Sequence, residues 1–351
     1  MYHVITKKAE IQGEKGLSRM NRVVWQWLLA LFLLVIGVYY WGLSDVIKIS
    51  VVSRPAIGLV FFFTACFTFI HNIRWLKVLK SLLSELPNKR LDFLHFYQWL
   101  MNSYAVGLFV PSDVSLVGVR IFFMKQYKEV KTSTALLSVF LDRLFDVVVL
   151  LVIIISTFLM LLGKNKPGML IIPVGIVGMV FGLFLWKNNE ILPYLIVLYS
   201  RAINLVLRLP ILKRWKRTDP AAVLEYIPIK KNTLCSVLAW SFIKYIFIAL
   251  RFYAVGVVFG ITFTFFDVFF AASLVQLAGF INVTPGGLGV IEMGSYGALK
   301  FIGASHPEAV AFAVGQRILV SLIIVAITLA INLAMFARSG ILKSGLFAES
   351  R

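Results

Sequence analysis

Acid is scarce in this chain. Asp and Glu number 16 in 351 residues, against 35 Lys and Arg. Charged residues of both signs make up 15% of the sequence, below the ~25% of a soluble domain. Cysteine is scarcer still. Its two copies, Cys66 and Cys235, lie in apolar tracts, which excludes a disulfide framework or a thiolate metal site. The four histidines, His3, His71, His95 and His306, are scattered without ligand spacing, so no metal is expected. No Walker A loop, dinucleotide glycine fingerprint or GxSxG elbow occurs. No cofactor is therefore expected.

What is plentiful is hydrocarbon. Hydrophobic residues are 60% of the chain, and the mean hydropathy is +0.89. Several tracts reach the ~20 apolar residues that cross a bilayer. The expected class is an all-α polytopic membrane protein. A net charge of +19 suits loops facing an anionic membrane surface rather than nucleic acid. Residues 1–22 are polar and the first apolar tract is long enough to span, which predicts a retained anchor.

Six tracts read as full spans: 23–43, 55–73, 134–162, 168–186, 233–260 and 307–336. Two more, 91–124 and 268–303, are interrupted by Pro111 and Pro285, and their short arms predict re-entrant or broken helical hairpins. The stretch 191–208 carries Arg201, Asn204 and Arg208 on one helical face, which predicts an interfacial helix. With this assignment 25 Lys and Arg fall on one side of the membrane and 4 on the other. Both termini are then expected on the cytoplasmic side.

The chain also reads as a duplication. From Pro111 to Arg143 is 32 residues, and from Pro285 to Arg317 is again 32. Within that frame "ALLSVFLDR" (135–143) lies over "AVAFAVGQR" (309–317). The predicted repeats are 23–162 and 163–336, the second carrying a basic segment 187–232, with a tail from 337. Three full spans in the first repeat, an odd number, make the two halves inverted, as in many transporters.

The chemistry sits inside the apolar tracts. Arg143 and Arg317 are each about ten residues into a span, near the bilayer centre at 1.5 Å per residue. An unpaired charge there costs at least ~2.5–3.5 kcal/mol. Asp142 and Asp146 are near enough to balance Arg143, and Asp146 is one turn from it. For Arg317 the candidate is Glu292, on the second hairpin. Lys244 and Arg251, seven apart, share one face of their span. Asp113 and Arg120 flank the first hairpin's descent and are a possible pair. These acids and bases read either as ion pairs that fix helix register or as the wall of a wet cavity. His95, Gln98, Asn102, Ser103 and Tyr104 carry the same two readings. The run "INVTPGGLGVIEMG" (281–294) places Pro285, Gly286, Gly287, Gly289 and Glu292 at membrane depth. Irregular backbone survives there only against protein or a watered cavity. A turn with free N–H groups at a helix start is also suited to an anion.

Arg74, "PSDVSLVGVR" (111–120), "LDRLFD" (141–146), "PGGLGVIE" (285–292) and Arg317 together resemble the transmembrane region of lysylphosphatidylglycerol synthases. Asp113 and Gly118 depart from the more strongly Gly–Glu pattern of that family's first hairpin. The resemblance implies a lipid-flipping membrane half. The synthases also carry a soluble aminoacyl-transfer domain, which the fifteen residues after 336 leave no room for. It further implies a bacterial inner-membrane location, and that Arg74, Arg120, Asp142, Arg143, Asp146, Glu292 and Arg317, with Pro285, Gly286, Gly287 and Gly289 of the second hairpin, line a substrate site, to which the charge on the neighbouring span adds Arg251. The expected partner is a membrane lipid or lipid-linked substrate, with a separate enzyme or a second copy of the chain as further possibilities. The rival readings are an integral-membrane transferase using Asp142, Asp146 or Glu292 as base, and a non-catalytic partner of an envelope enzyme.

Overall fold

The computed structural model describes residues 51–83, 92–126, 130, 132–162, 231–279 and 284–348, and five helical positions between 28 and 39. The expected span 168–186 and interfacial stretch 191–208 lie outside them.

Every regular element among the described residues is helical. In chain order they are α1 (Arg54–Leu82), α2 (Phe93–Val106), α3 (Ser112–Gln126), α4 (Thr132–Leu162), α5 (Lys231–Val258), α6 (Phe265–Gly279), α7 (Val290–Phe301) and α8 (His306–Ala348). A single 3-10 turn, Pro285–Gly287, precedes α7. Arg54–Leu82, Asn232–Val258 and His306–Arg338 are long and apolar enough to cross a membrane. The chain is an all-α membrane protein.

The element pattern repeats. A long helix, two short ones and a second long helix occur as α1 to α4 and again as α5 to α8. Helix α2 has 14 residues and α7 has 12. At ~1.5 Å per residue neither arm reaches across a ~30 Å hydrocarbon core. The breaks have local causes. Pro111 has no N–H to continue α2, and the Ser115 hydroxyl folds α3 back by donating to Ser103 O at 2.8 Å. In the second hairpin Gly286, Gly287 and Gly289 all have positive φ, which ends helical geometry there.

Contacts along α1 and α5 show the inversion. Val52 N–H donates to Val258 O at 2.8 Å. The Phe63 and Phe247 rings lie 6.2 Å apart, Arg74 reaches Ser241 and Lys77 reaches Ser236. Residue numbers rise on one helix as they fall on the other, so the two helices are antiparallel. Corresponding helices of the two halves therefore run in opposite directions, and the hairpin tips meet. Gly286 N–H donates to Val110 O at 3.1 Å.

Two seams flank this centre. Asn332 on α8 takes part in hydrogen bonds with Gln98 and Asn102 on α2 at 2.7 and 2.8 Å. The shift that lays Pro111 on Pro285 also lays Phe158 on Asn332. Phe158 on α4 stacks on Phe270 of α6, so the matching seam has an apolar contact. The buried core is centred on α1, α4 and α5, through Val60, Leu141, Phe145, Leu238 and Phe252. Large apolar side chains remain exposed outside it, including Phe61, Leu322, Leu333 and Phe336, as a lipid-facing surface requires.

Candidate functional site

Helix α1 runs through 73 to Leu82, so Arg74 lies inside it and is fully buried. The sequence-based boundary stopped at this charge, but the charge is neutralised within the bundle. Asp142 and Asp146 are four apart and share a face of α4. Arg74 donates from Nε to Asp142 Oδ1 at 2.9 Å and from Nη2 to Asp146 Oδ2 at 3.0 Å. Its Nη1 bonds Asp146 Oδ1 as well, and Ser241 Oγ at 3.0 Å.

Two further cations close the cluster. Arg120 of α3 donates to Asp142 Oδ2 at 3.0 Å and stacks on Trp75, 4.4 Å from the ring centre. Lys244 of α5 pairs with Asp146. His71, one turn before Arg74, places Nε2 2.9 Å from Asp142 Oδ2 and Nδ1 2.5 Å from the Tyr104 hydroxyl. Asp142 and Asp146 are thus held by cations from α1, α3 and α5. Breaking a buried pair by removing one partner typically costs ~3–5 kcal/mol.

The adjacent-acid expectation gave Arg143 the Asp146 carboxylate. In the structure Arg74 and Lys244 bond that carboxylate, and Arg143 lies on a cavity wall. Arg120 meets Asp142; the Asp113 side chain is not among those described.

The cavity, about 200 Å³, opens between the two hairpins and the long helices. Arg143, Asp146, Lys244, Arg251, Gly286 and Arg317 all border it. So do His71, Ser103 and Tyr104, whereas Gln98 and Asn102 serve the α2–α8 seam. Both readings of the polar first hairpin therefore hold, each for different residues.

Arg251 is 6% exposed. Its Nε has no hydrogen-bond partner, and no described carboxylate pairs with it. Its guanidinium lies over Phe67 at 5.3 Å and Phe252 at 5.9 Å. Aromatic faces hold a cation weakly and supply no acceptor in the ring plane.

The second hairpin supplies the opposite wall. Glu292 Oε2 accepts from Gly289 N–H at 2.7 Å, capping α7. Glu292 Oε1 lies 3.4 Å from Arg317 Nε and accepts no hydrogen bond. The cap and the ion pair therefore use different oxygens of one carboxylate. Pro285, Gly286 and Gly287 are buried in the turn before it. Among the described residues no three His, Cys, Asp or Glu side chains are grouped to hold a metal ion.

Sequence reasoning set His71 aside because it belonged to no ligand pattern. The overlooked signal was its position, one turn from an intramembrane arginine, where a polar side chain has a partner by necessity.

The family model of the lysylphosphatidylglycerol synthase TM region matches residues 23–328. The chain belongs to this family. All the site residues named above fall within the match. A search of curated proteins finds no match.

Proposed function

We propose that this chain is a lipid translocase of the bacterial inner membrane, with both termini cytoplasmic, that admits an anionic or zwitterionic headgroup to the cavity between its hairpins. The observation that carries this reading is Arg251, a buried guanidinium facing a cavity without a carboxylate of its own. A buried charge is tolerated when a partner compensates it, and a phosphate headgroup is such a partner. Arginine matches phosphate geometry through paired N–H donors. Arg143, Lys244 and Arg317 border the same space and add to the attraction.

The carboxylates argue for translocation over transfer chemistry. A general base needs a free lone pair near the reacting proton. Asp142 and Asp146 each hold two or more cationic or imidazole partners, and Glu292 is committed to the α7 cap through Oε2 and to the Arg317 ion pair through Oε1.

The test is purified protein in liposomes containing phospholipid with a fluorescent acyl chain, scored by quencher access from outside. The expected result is protein-dependent exchange between leaflets without added enzyme or donor, lost in Arg251→Gln. Exchange no faster than in protein-free liposomes overturns translocation. Unchanged exchange in Arg251→Gln removes the cavity from the path.

A further inference from the structure

The charge count around the cavity identifies the headgroup more narrowly, on the reading that an anionic headgroup enters it. Five cations, Arg74, Arg120, Lys244, Arg251 and Arg317, meet three carboxylates, Asp142, Asp146 and Glu292. Within this described network of charges, Arg143 not included and His71 taken as neutral, the excess is two positive charges. Each residual charge in a low-dielectric site is costly until a counter-charge enters. A phosphodiester brings one negative charge. A phosphomonoester brings ~1.5–2 at neutral pH, because its second ionisation lies near pH 6.

Among the residues that face the space, two arginines have loose or missing partners. Arg251 lies over two aromatic rings, its Nε has no hydrogen-bond partner, and no carboxylate among the described residues pairs with it. Arg317 holds Glu292 at 3.4 Å through an oxygen that accepts no hydrogen bond. Arg74 and Arg120, tightly bonded to Asp142, are absent from the cavity wall. Size points the same way. A cavity of about 200 Å³ is smaller than the ~300–1,000 Å³ of sites for drug-sized ligands, so a compact headgroup fits it.

We propose that the cavity is selective for a dianionic, terminal phosphate carried on a lipid, a phosphomonoester rather than a phosphodiester. Two arginines of the second half, Arg251 on α5 and Arg317 on α8 beside the hairpin tip, would share the phosphate oxygens. Lys244 would balance what remains.

The experiment measures thermal stabilisation of the purified full chain in phosphatidylcholine nanodiscs. Graded amounts of phosphatidic acid, or of phosphatidylglycerol with the same acyl chains, are incorporated, and inorganic phosphate is titrated separately. At pH 7.5 phosphatidic acid should half-saturate at a concentration about tenfold lower than phosphatidylglycerol, equivalent to ~1.4 kcal/mol. The ratio should shrink at pH 5, where the monoester has lost its second charge. His71, Lys244, Asp146, Tyr104 and Tyr245 also border the cavity; at pH 5 both lipids carry one negative charge, so a change in any of these groups acts on the two alike. Arg251→Gln should abolish the preference. Arg251→Lys, which keeps the charge, should retain the ranking with weaker binding, and its retention excludes simple misfolding of the glutamine variant.

Equal stabilisation by the two lipids, both above phosphatidylcholine alone, overturns the dianion inference and leaves the proposed function standing. No stabilisation by either lipid overturns both. Inorganic phosphate acting as strongly as phosphatidic acid assigns the site to a water-borne ion and overturns the lipid source.

Discussion

Gly286 is where the two hairpins touch, and Gly286→Ala tests that contact directly. Its φ is +60°, and its N–H donates to Val110 O at 3.1 Å. A Cβ there would lie 2.6 Å from Leu108 O and 2.5 Å from Arg317 Nη2. The arginine end is flexible and moves aside. The Leu108 carbonyl is backbone of the opposite hairpin, so the tips themselves must separate. Left-handed backbone costs an L-residue ~1–2 kcal/mol. Parting the tips weakens a hydrogen bond with a net value of ~0.5–1.5 kcal/mol. The expected loss is about 2–3 kcal/mol from these two sources. Gly303 is the matched control. It has φ +95° and open space around its would-be Cβ, so Gly303→Ala carries the backbone cost alone. Thermal unfolding of both variants in one detergent should rank Gly286→Ala lower by about 1 kcal/mol, with little lipid exchange left in that variant. Arg317→Ala should not rescue it, because the obstacle is backbone. Equal unfolding temperatures for the two glycine variants would refute the contact between tips.

Two further outcomes follow from the ion pairs. Glu292→Gln and Arg317→Gln should each reduce folded protein or exchange, and the double variant should cost less than the sum; a double-variant cycle with no coupling breaks the assignment of the 3.4 Å pair. Asp142→Asn should cost ~3–5 kcal/mol by leaving Arg74 and Arg120 short of a counter-charge, read as lost monodisperse protein on size exclusion. The exposed Asp92, which pairs with His95 and Arg338 at the surface, is the comparison: Asp92→Asn should change stability by under ~1 kcal/mol.

Much of the fold was legible because membrane helices are written in long apolar runs, and the hairpins in the residues that interrupt them. Pro111 and the Pro285–Gly287 turn mark both breaks, and the equal spacing to Arg143 and Arg317 marks the duplication. The parity of spans anticipated the antiparallel arrangement of α1 and α5. The Glu292–Arg317 pair was legible because Arg317 has no acid within a turn of its own helix and Glu292 is the one acid of the hairpin tract 268–303. The partners of Asp142 and Asp146 were not. Arg74 lies 68 and 72 residues from them, and Lys244 is 98 residues from Asp146. Sequence proximity favoured Arg143, one turn from Asp146, but the cations that bond these acids come from other helices, which local spacing cannot show. The boundary of α1 failed for the same reason. A charge at 74 looks like the end of an apolar run until the acids that receive it are in place.

The order in which these charges occur along the chain bears on how the protein is made. Arg74, Arg120, Asp142 and Asp146 all belong to the first half, and their mutual bonds leave that half with two cations against two acids. It emerges first and brings the counter-charges of Arg74 and Arg120 with it. The second half brings Lys244, Arg251 and Arg317 with only Glu292 among them. At ~5–20 residues per second, the 98 residues between Asp146 and Lys244 take roughly 5–20 s to synthesise. Lys244 therefore enters the membrane to find its carboxylate already anchored by Arg74. With the halves in the reverse order, the lysine would wait in hydrocarbon for an acid not yet translated.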